Sequence, residues 1–247
     1  MRKVLALWSV PRSRSTAFMF MMRQRGDFEC FLEPFETCAY YGTDRIFQRF
    51  AKTAPQPECN YANMFRALVE ASNRMQLFIK DHAYYIEHIA DAAFLEGFQH
   101  TFLIRDPAET LPSYFHKWPD LEFAETGYAA QRSLYDKVAR HLGMDPPVID
   151  ANDLVSDPAK TVSAYCDAVG IDFMPQALSW QAPAENSENG SSDGGPWHQY
   201  LNTSTGFQAR AHSPYPDVRD NGKMQQFYER CLPDYCYLYE RRLRTGG

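Results

Sequence analysis

The chain has 247 residues, of which 45% are hydrophobic and 23% are charged, and this ordinary globular composition excludes a disordered chain, a collagen and a coiled-coil rod. The net charge of −6, from 25 basic and 31 acidic residues, argues against non-specific binding to nucleic acid, which needs a basic surface. No segment reaches the roughly 18 apolar residues of a membrane span, and six scattered cysteines without a CxxC pair indicate reduced thiols in a cytoplasmic protein.

Basic residues concentrate at the amino-terminal end. Residues 1–26 contain six arginines and lysines and no acidic residue. In an acidic protein, this indicates a local anion site rather than a general polyanion surface. A secretory or organellar targeting segment would share the basic start. Pro11-Arg12 interrupts the apolar run and opposes an amphipathic helix, so neither kind of targeting segment is expected.

Strand and helix patterns alternate along most of the chain. The predicted strands are 3–8, 28–32, 76–80, 101–104 and 148–149. The predicted helices are 16–25, 62–73, 86–95, 124–142, 158–169 and 217–242, with one more opening after Pro107. The Met/Phe-rich face of the first helix is expected to be core. This alternation predicts an α/β fold with a central, mainly parallel sheet flanked by helices.

One segment, 183–196, is rich in Gly, Ser, Asn and Pro. Only about 50 residues follow it, too few for an ordinary second domain. We therefore expect a single domain over 1–247 with a flexible surface loop at 183–196.

The first candidate site is the turn after the first strand, residues 11–16, with the sequence Pro-Arg-Ser-Arg-Ser-Thr. A strand-turn-helix step gathers backbone N–H groups and the helix N-terminus at one point, and Arg12 and the serines add donors. This combination predicts a phosphate or sulfate cradle, and a Ser/Arg-rich helix cap is the alternative. The motif GxxxxGK[ST] is absent, so the turn is not a nucleoside-triphosphate loop.

The second candidate site is Arg105-Asp106-Pro107, followed by Ser113. The end of a strand delivers Arg105 to the carboxyl edge of the sheet, where open α/β folds bind ligands. A plain capping turn explains Asp106 and Pro107 but gives no reason for Arg105.

The third candidate site is Lys80-Asp81-His82, also at a strand end. Lys80 and His82 point the same way on an extended chain. A lysine can neutralise charge on a transferring group, and a histidine can accept a proton near neutral pH. A hydrogen-bonded loop residue is the alternative interpretation of His82.

Together with residues 152–158, Asn-Asp-Leu-Val-Ser-Asp-Pro, these segments come in the order seen in sulfotransferases that use 3′-phosphoadenylyl sulfate (PAPS). Residues 152–158 resemble that family's E-D-L-hydrophobic-x-x-P segment, and the resemblance covers about residues 3–172. It implies a three-layer, P-loop-like α/β fold and a small-molecule sulfotransferase of the bacterial type. PAPS would be the donor and PAP (3′-phosphoadenosine 5′-phosphate) the product, without a metal.

The resemblance also implies which residues hold the donor. The residues expected around its 5′-phosphate are Pro11, Arg12, Ser13, Arg14, Ser15 and Thr16. Arg105 and Ser113 would hold the 3′-phosphate. A further donor-binding segment is expected near Trp197-His198 and Ser204-Thr205. The family commonly has glycine where this chain has Arg14, so Arg14 would be strained there if φ is positive, or would supply an extra cation.

For catalysis, the resemblance implies that Lys80 and Arg12 lie near the sulfuryl group. His82 matches the base that activates the acceptor in the cytosolic branch of the family. Glu33, in Leu-Glu-Pro-Phe after the second strand, resembles the carboxylate base of other branches. The sequence leaves both candidates open.

The expected reaction is in-line transfer of the sulfuryl group to a small-molecule acceptor. Aromatic residues within 35–41, 84–85 and 115–118 are expected to line its pocket, which favours an aromatic or partly apolar acceptor. Hydroxyl and amine acceptors both remain open, as does the oligomeric state. The alternatives are a nucleotide or small-molecule kinase with a degenerate phosphate loop, which would need Mg²⁺, and a non-catalytic nucleotide-binding protein.

Overall fold

A five-stranded sheet lies at the centre of the computed structural model, which describes residues 2–181, 204–208 and 214–244. Its strands are β1 (Val4–Ser9), β2 (Glu29–Leu32), β3 (Leu77–His82), β4 (Phe98–Ile104) and β5 (Val148–Asp150). Their order is β2-β3-β1-β4-β5, and every pairing is parallel. All five carboxyl ends therefore share one edge of the sheet, with β1 between β3 and β4. The expected loop at 183–196 and Trp197-His198 lie outside the described residues.

Helices cover both faces of this sheet. They are α1 (Ser15–Arg25), α2 (Glu36–Tyr41), α3 (Tyr61–Ser72), α4 (Ala83–Ile86), α5 (Ala92–Gly97), α6 (Pro107–Lys117), α7 (Tyr128–Leu142), α8 (Ala151–Ser156), α9 (Pro158–Val169) and α10 (Gly222–Glu240). The prediction of an α/β fold with a parallel sheet flanked by helices is confirmed.

The core divides into two layers because side chains alternate along each strand. In β1, Val4, Ala6 and Trp8 pack into one cluster. Leu5 and Leu7 pack into the other, with the Met/Phe-rich face of α1. That face is core, as its composition predicted.

Two elements differ from the sequence-based expectation. The helix expected over 86–95 is divided into α4, a 3₁₀ turn at Glu87–Ile89 and α5. Asp91 accepts a hydrogen bond of 2.9 Å from the amide of Phe94, so it begins a new helix where continuation was expected. The last helix, expected over 217–242, begins at Gly222 after a 3₁₀ turn at Val218–Asp220 and continues through Pro233.

The structure also describes the cysteines and the helices that the sequence analysis considered. All six cysteines are free thiols. Among the described residues, no helix combines the length and apolar character needed to cross a membrane.

Candidate active site

The cradle predicted at residues 11–16 consists of the loop between β1 and α1 and the first two residues of α1. Arg12 has a φ of 65° and Arg14 a φ of 69°, so both lie in the left-handed region that glycine adopts most readily. The strain expected for Arg14 at a positive φ is therefore present. The hydroxyl of Ser13, between the two arginines, is completely buried and has no hydrogen-bond partner among the described residues. An unpaired buried hydroxyl is costly, and a phosphate oxygen is a suitable partner, so the loop fits a phosphate.

The rest of the cradle is built on the first turn of α1. Ser15 and Thr16 are the first two residues of this helix, and Pro11 is buried at the start of the loop. The first amides of a helix generally lack partners within it. Here the amide of Ala17 donates a hydrogen bond of 3.0 Å to the carbonyl of Arg14, which leaves those of Ser15 and Thr16 to face an anion. With the positive end of the helix dipole, they favour an anion at this point.

Arg105 and Ser113 both contact the cradle, although Arg105 follows β4 and Ser113 lies in α6. The Arg12 Nε donates a hydrogen bond of 3.2 Å to the hydroxyl of Ser113. A terminal nitrogen of Arg105 donates one of 2.7 Å to the backbone carbonyl of Arg12. The structure therefore brings the two predicted anion sites into direct contact.

Glu109 is a neighbour of Arg105 that the sequence reasoning missed. Its Oε2 accepts hydrogen bonds of 3.0 and 2.7 Å from two nitrogens of Arg105, and its Oε1 accepts one of 2.7 Å from the side-chain amide of Asn152. The two bonds from Arg105 to Glu109 and the one to the Arg12 carbonyl use three of the five N–H groups of Arg105. Two remain without a partner among the described residues. The four-residue spacing between Arg105 and Glu109 was a signal that could have found this pair.

The catalytic candidates form one cluster. The strand register places His82 beside Ser9, and Lys80 lies between Leu7 and Leu32. The Lys80 Nζ contacts the Glu33 carboxylate directly and lies 3.3 Å from the His82 Nε2. Glu33 Oε1 lies 3.4 Å from the same His82 nitrogen. Both candidate bases therefore contact one another and Lys80.

Electrostatics separate the two bases. Burial on its own would raise the pKa of Glu33, but Lys80 and then His82 hold that pKa well below its usual range. Burial, and next the charge of Lys80, lower the pKa of His82. At neutral pH, Glu33 is therefore ionised and His82 is neutral.

The turn that carries Glu33 is held by Asp81, another residue that the sequence reasoning did not assign. Glu33 has a φ of 48°, and its amide donates a hydrogen bond of 2.7 Å to the carbonyl of Lys80. The fully buried Asp81 carboxylate accepts hydrogen bonds of 2.9 Å from the amide of Phe35 and 2.7 Å from that of His82. These two hydrogen bonds tie the Glu33 turn to β3. Burial, and then Glu33, raise the pKa of Asp81 well above its ordinary value.

The segment 204–208 lies beside the cradle. Arg14 donates a hydrogen bond of 2.8 Å to the carbonyl of Gln208. Ser204 and Thr205 lie nearer residue 180, where the Thr205 carbonyl accepts a hydrogen bond of 3.1 Å from the Trp180 amide. The assignment of Ser204 and Thr205 to the donor remains a prediction.

The aromatic segments expected around an acceptor are in two places. Tyr84 stacks on the His82 ring at 5.6 Å between centroids, and Tyr85 lies 5.4 Å from it. Phe115 packs instead against Phe227 of α10, at 5.3 Å. Residues 84–85 therefore adjoin the catalytic candidates.

Among the described residues, no cluster of three or more acidic, His or Cys side chains could hold a metal.

Comparison with known proteins identifies the family of this chain. Residues 2–238 match the model of a family described as "Sulfotransferase domain". The chain is 29% identical, over 249 residues, to branched-chain-amino-acid aminotransferase-like protein 2 of Arabidopsis thaliana, with coverage of 96% of this chain and 41% of that protein. It is 28% identical over 187 residues to sulfotransferase ppzF of Metarhizium majus, with coverage of 62% and 55%. The chain thus spans about two fifths of the first relative's length.

A solved structure has a similar fold. This is a sulfotransferase domain from the curacin biosynthetic pathway, with a TM-score of 0.53, 14% identity and coverage of 94% of this chain and 98% of that one. At this identity, the likeness concerns the fold alone.

Proposed function

The chain belongs to the sulfotransferase domain family, and we propose that it transfers the sulfuryl group of PAPS to a hydroxyl or amine of a small-molecule acceptor. One observation carries the choice of donor. Arg12 contacts both Arg105 and Ser113, so the cradle and the cation at the end of β4 are close enough to bind one nucleotide with two phosphates.

Each end of the donor has suitable partners. The 5′-phosphate is held by the amides of Ser15 and Thr16 and by the buried Ser13 hydroxyl, which has no partner in the described part of the chain. Arg12 lies beside the sulfuryl group. Arg105 holds the 3′-phosphate through its two remaining N–H groups, together with Ser113. Charge-assisted hydrogen bonds from a guanidinium are among the strongest contacts that a phosphate makes.

The reaction needs a base, and we assign this role to His82. Its Nε2 removes the proton of the acceptor, the acceptor atom forms a bond to sulfur, and the bond between sulfur and the 5′-phosphate oxygen breaks. The electron pair of that bond stays with PAP. Lys80 and Arg12 stabilise the charge that develops on the sulfuryl and phosphate oxygens.

Glu33 is the weaker candidate for the base. Its pKa lies well below its usual range because of Lys80 and His82, and a carboxylate of low pKa is a poor proton acceptor near neutral pH. Its contact with Lys80 suits it to hold the ammonium group in the site.

Calorimetry and a transfer assay test this proposal. We expect PAP to bind in the presence of EDTA, and labelled sulfate to pass from PAPS to phenolic or amine acceptors. Binding of ATP that requires Mg²⁺, without binding of PAP, would instead support a kinase. Tight binding of PAP and PAPS without transfer to any acceptor in a broad panel would support a non-catalytic nucleotide-binding protein.

A further inference from the structure

We infer that Ser9 is a positioning residue that fixes the tautomer of His82, with the proton on Nδ1 and a lone pair on Nε2. The inference deepens the proposed function, because the lone pair on Nε2 is what would accept the proton of the acceptor. Ser9 is the last residue of β1 and is completely buried. It lies beside His82 in the strand register.

Two oxygens of Ser9 face the Nδ1 of His82. The Ser9 hydroxyl lies 3.1 Å from this nitrogen, and the Ser9 carbonyl lies 3.2 Å from it. The same hydroxyl donates a hydrogen bond of 3.3 Å to the carbonyl of Asp81. A carbonyl can only accept, and the hydroxyl proton is already used toward Asp81. Both oxygens of Ser9 therefore accept from His82, which requires a proton on Nδ1.

The other ring nitrogen faces two groups with opposite preferences. The Lys80 ammonium can only donate, and at 3.3 Å it favours a lone pair on Nε2. The Glu33 carboxylate, at 3.4 Å, favours a proton there. Ser9 and Lys80 together outweigh Glu33 in the resting state. Once Nε2 has taken a proton from the acceptor, Glu33 lies where it can stabilise the charged ring.

The remaining neighbours of the ring do not compete for its nitrogens. Tyr84 stacks face to face on the imidazole, and Tyr85 meets it edge to face. The buried Asp81 carboxylate accepts from the backbone amide of His82 rather than from its ring. The tautomer of His82 is therefore decided by Ser9, Lys80 and Glu33.

Nitrogen NMR of the full chain with labelled histidine tests the inference without any substrate. The His82 signal is assigned by its loss in His82→Gln. We expect the wild-type ring to be protonated on Nδ1 at neutral pH, and Ser9→Ala to shift part of the population toward protonation on Nε2. Ser72→Ala is the matched control, since Ser72 is also completely buried and hydrogen bonded, to the carbonyls of Arg2 and Val69. It should leave the His82 signal unchanged.

Wild-type His82 protonated on Nε2 would overturn the inference. A tautomer that Ser9→Ala leaves unchanged would overturn the role of the Ser9 hydroxyl, since the variant keeps the Ser9 carbonyl. In the transfer assay, Ser9→Ala should lower kcat about tenfold with no change in PAP affinity. Absence of transfer by the wild-type protein would reject the proposed function, while the NMR result would still decide the role of Ser9.

Discussion

The guanidinium of Arg105 donates a hydrogen bond of 2.7 Å to the backbone carbonyl of Arg12, although 93 residues separate them in the sequence. The contact joins the residue after β4 to the loop after β1. These two strands are neighbours in the sheet. It also braces Arg12, whose φ of 65° is unfavourable for a side chain with a Cβ. Arg105 therefore contributes to the shape of the loop as well as to the charge beside it.

Replacing Arg105 tests its proposed contact with the 3′-phosphate. We expect Arg105→Ala to weaken PAP binding about 100-fold, or roughly 3 kcal/mol, because a phosphate loses a charged partner. Calorimetry measures the change. Arg132→Ala is the matched control, since Arg132 also pairs with a carboxylate four residues later, on Asp136, and it should bind PAP normally. Unchanged affinity in Arg105→Ala would remove this residue from the donor site.

The pH dependence of turnover reports on the base. Protonation of His82 stops it from accepting a proton, so kcat at saturating PAPS should fall on the acid side. Burial and the charge of Lys80 lower the pKa of His82 below its ordinary value of 6.5, so the fall should be centred below pH 6.5. Glu33 raises that pKa, and Glu33→Gln should therefore move the fall to still lower pH. A fall centred above pH 6.5 would contradict His82 as the base.

Arg14 offers a test of strain against binding. At a φ of 69°, glycine avoids the steric cost that a side chain meets, so Arg14→Gly should raise the free energy of unfolding by about 1 kcal/mol. It should also weaken PAP binding, because a cation leaves the cradle. Urea unfolding and calorimetry measure the two effects. Gln24→Gly, at an exposed position inside α1, should instead destabilise the protein by about 1 kcal/mol. Destabilisation by Arg14→Gly would show that the Arg14 contacts outweigh the strain.

His100 should make the fold sensitive to acid. Its Nδ1 accepts a hydrogen bond of 2.8 Å from the Trp8 indole, and its Nε2 lies 3.0 Å from the carbonyl of Leu95. Burial lowers the pKa of His100 from 6.5 to about 4. Between these values the unfolded chain binds a proton that the folded chain does not. The free energy of unfolding should therefore fall as the pH decreases through this range, by about 3 kcal/mol from this residue.

Urea unfolding at pH 7 and pH 4.5 checks this expectation. His100→Asn removes the titrating group and should reduce the pH dependence, whereas His116→Asn, at an exposed position, should leave it in place. Equal pH dependence in wild type and His100→Asn would show that other groups cause the acid sensitivity.

Local patterns predicted the five strands and most helices, because each buried strand is a short apolar run and each candidate site follows a strand end. They also predicted the juxtaposition of Lys80 and His82, which lie two residues apart on β3. The break before α5 was missed because the capping function of Asp91 depends on the local backbone conformation, which apolar spacing does not reveal.

The supporting contacts could not be predicted from local patterns. Ser9 acts on His82 across 73 residues, and Asp81 holds Phe35 across 46. Pairs of this kind are created by the sheet order, which a single sequence does not specify. The positive φ of Glu33 was likewise hidden, since no glycine marks the position.

The sheet order also separates two tasks. On one side of β1, Glu33 follows β2, and Lys80 and His82 lie on β3. On the other side, Arg105 follows β4 and Ser113 lies in the next helix, α6. The loop after β1 lies between these two groups of residues. If the proposed roles hold, exchange of the β2–β3 side should change which acceptor is sulfated while leaving the proposed donor contacts of Arg105 and Ser113 in place.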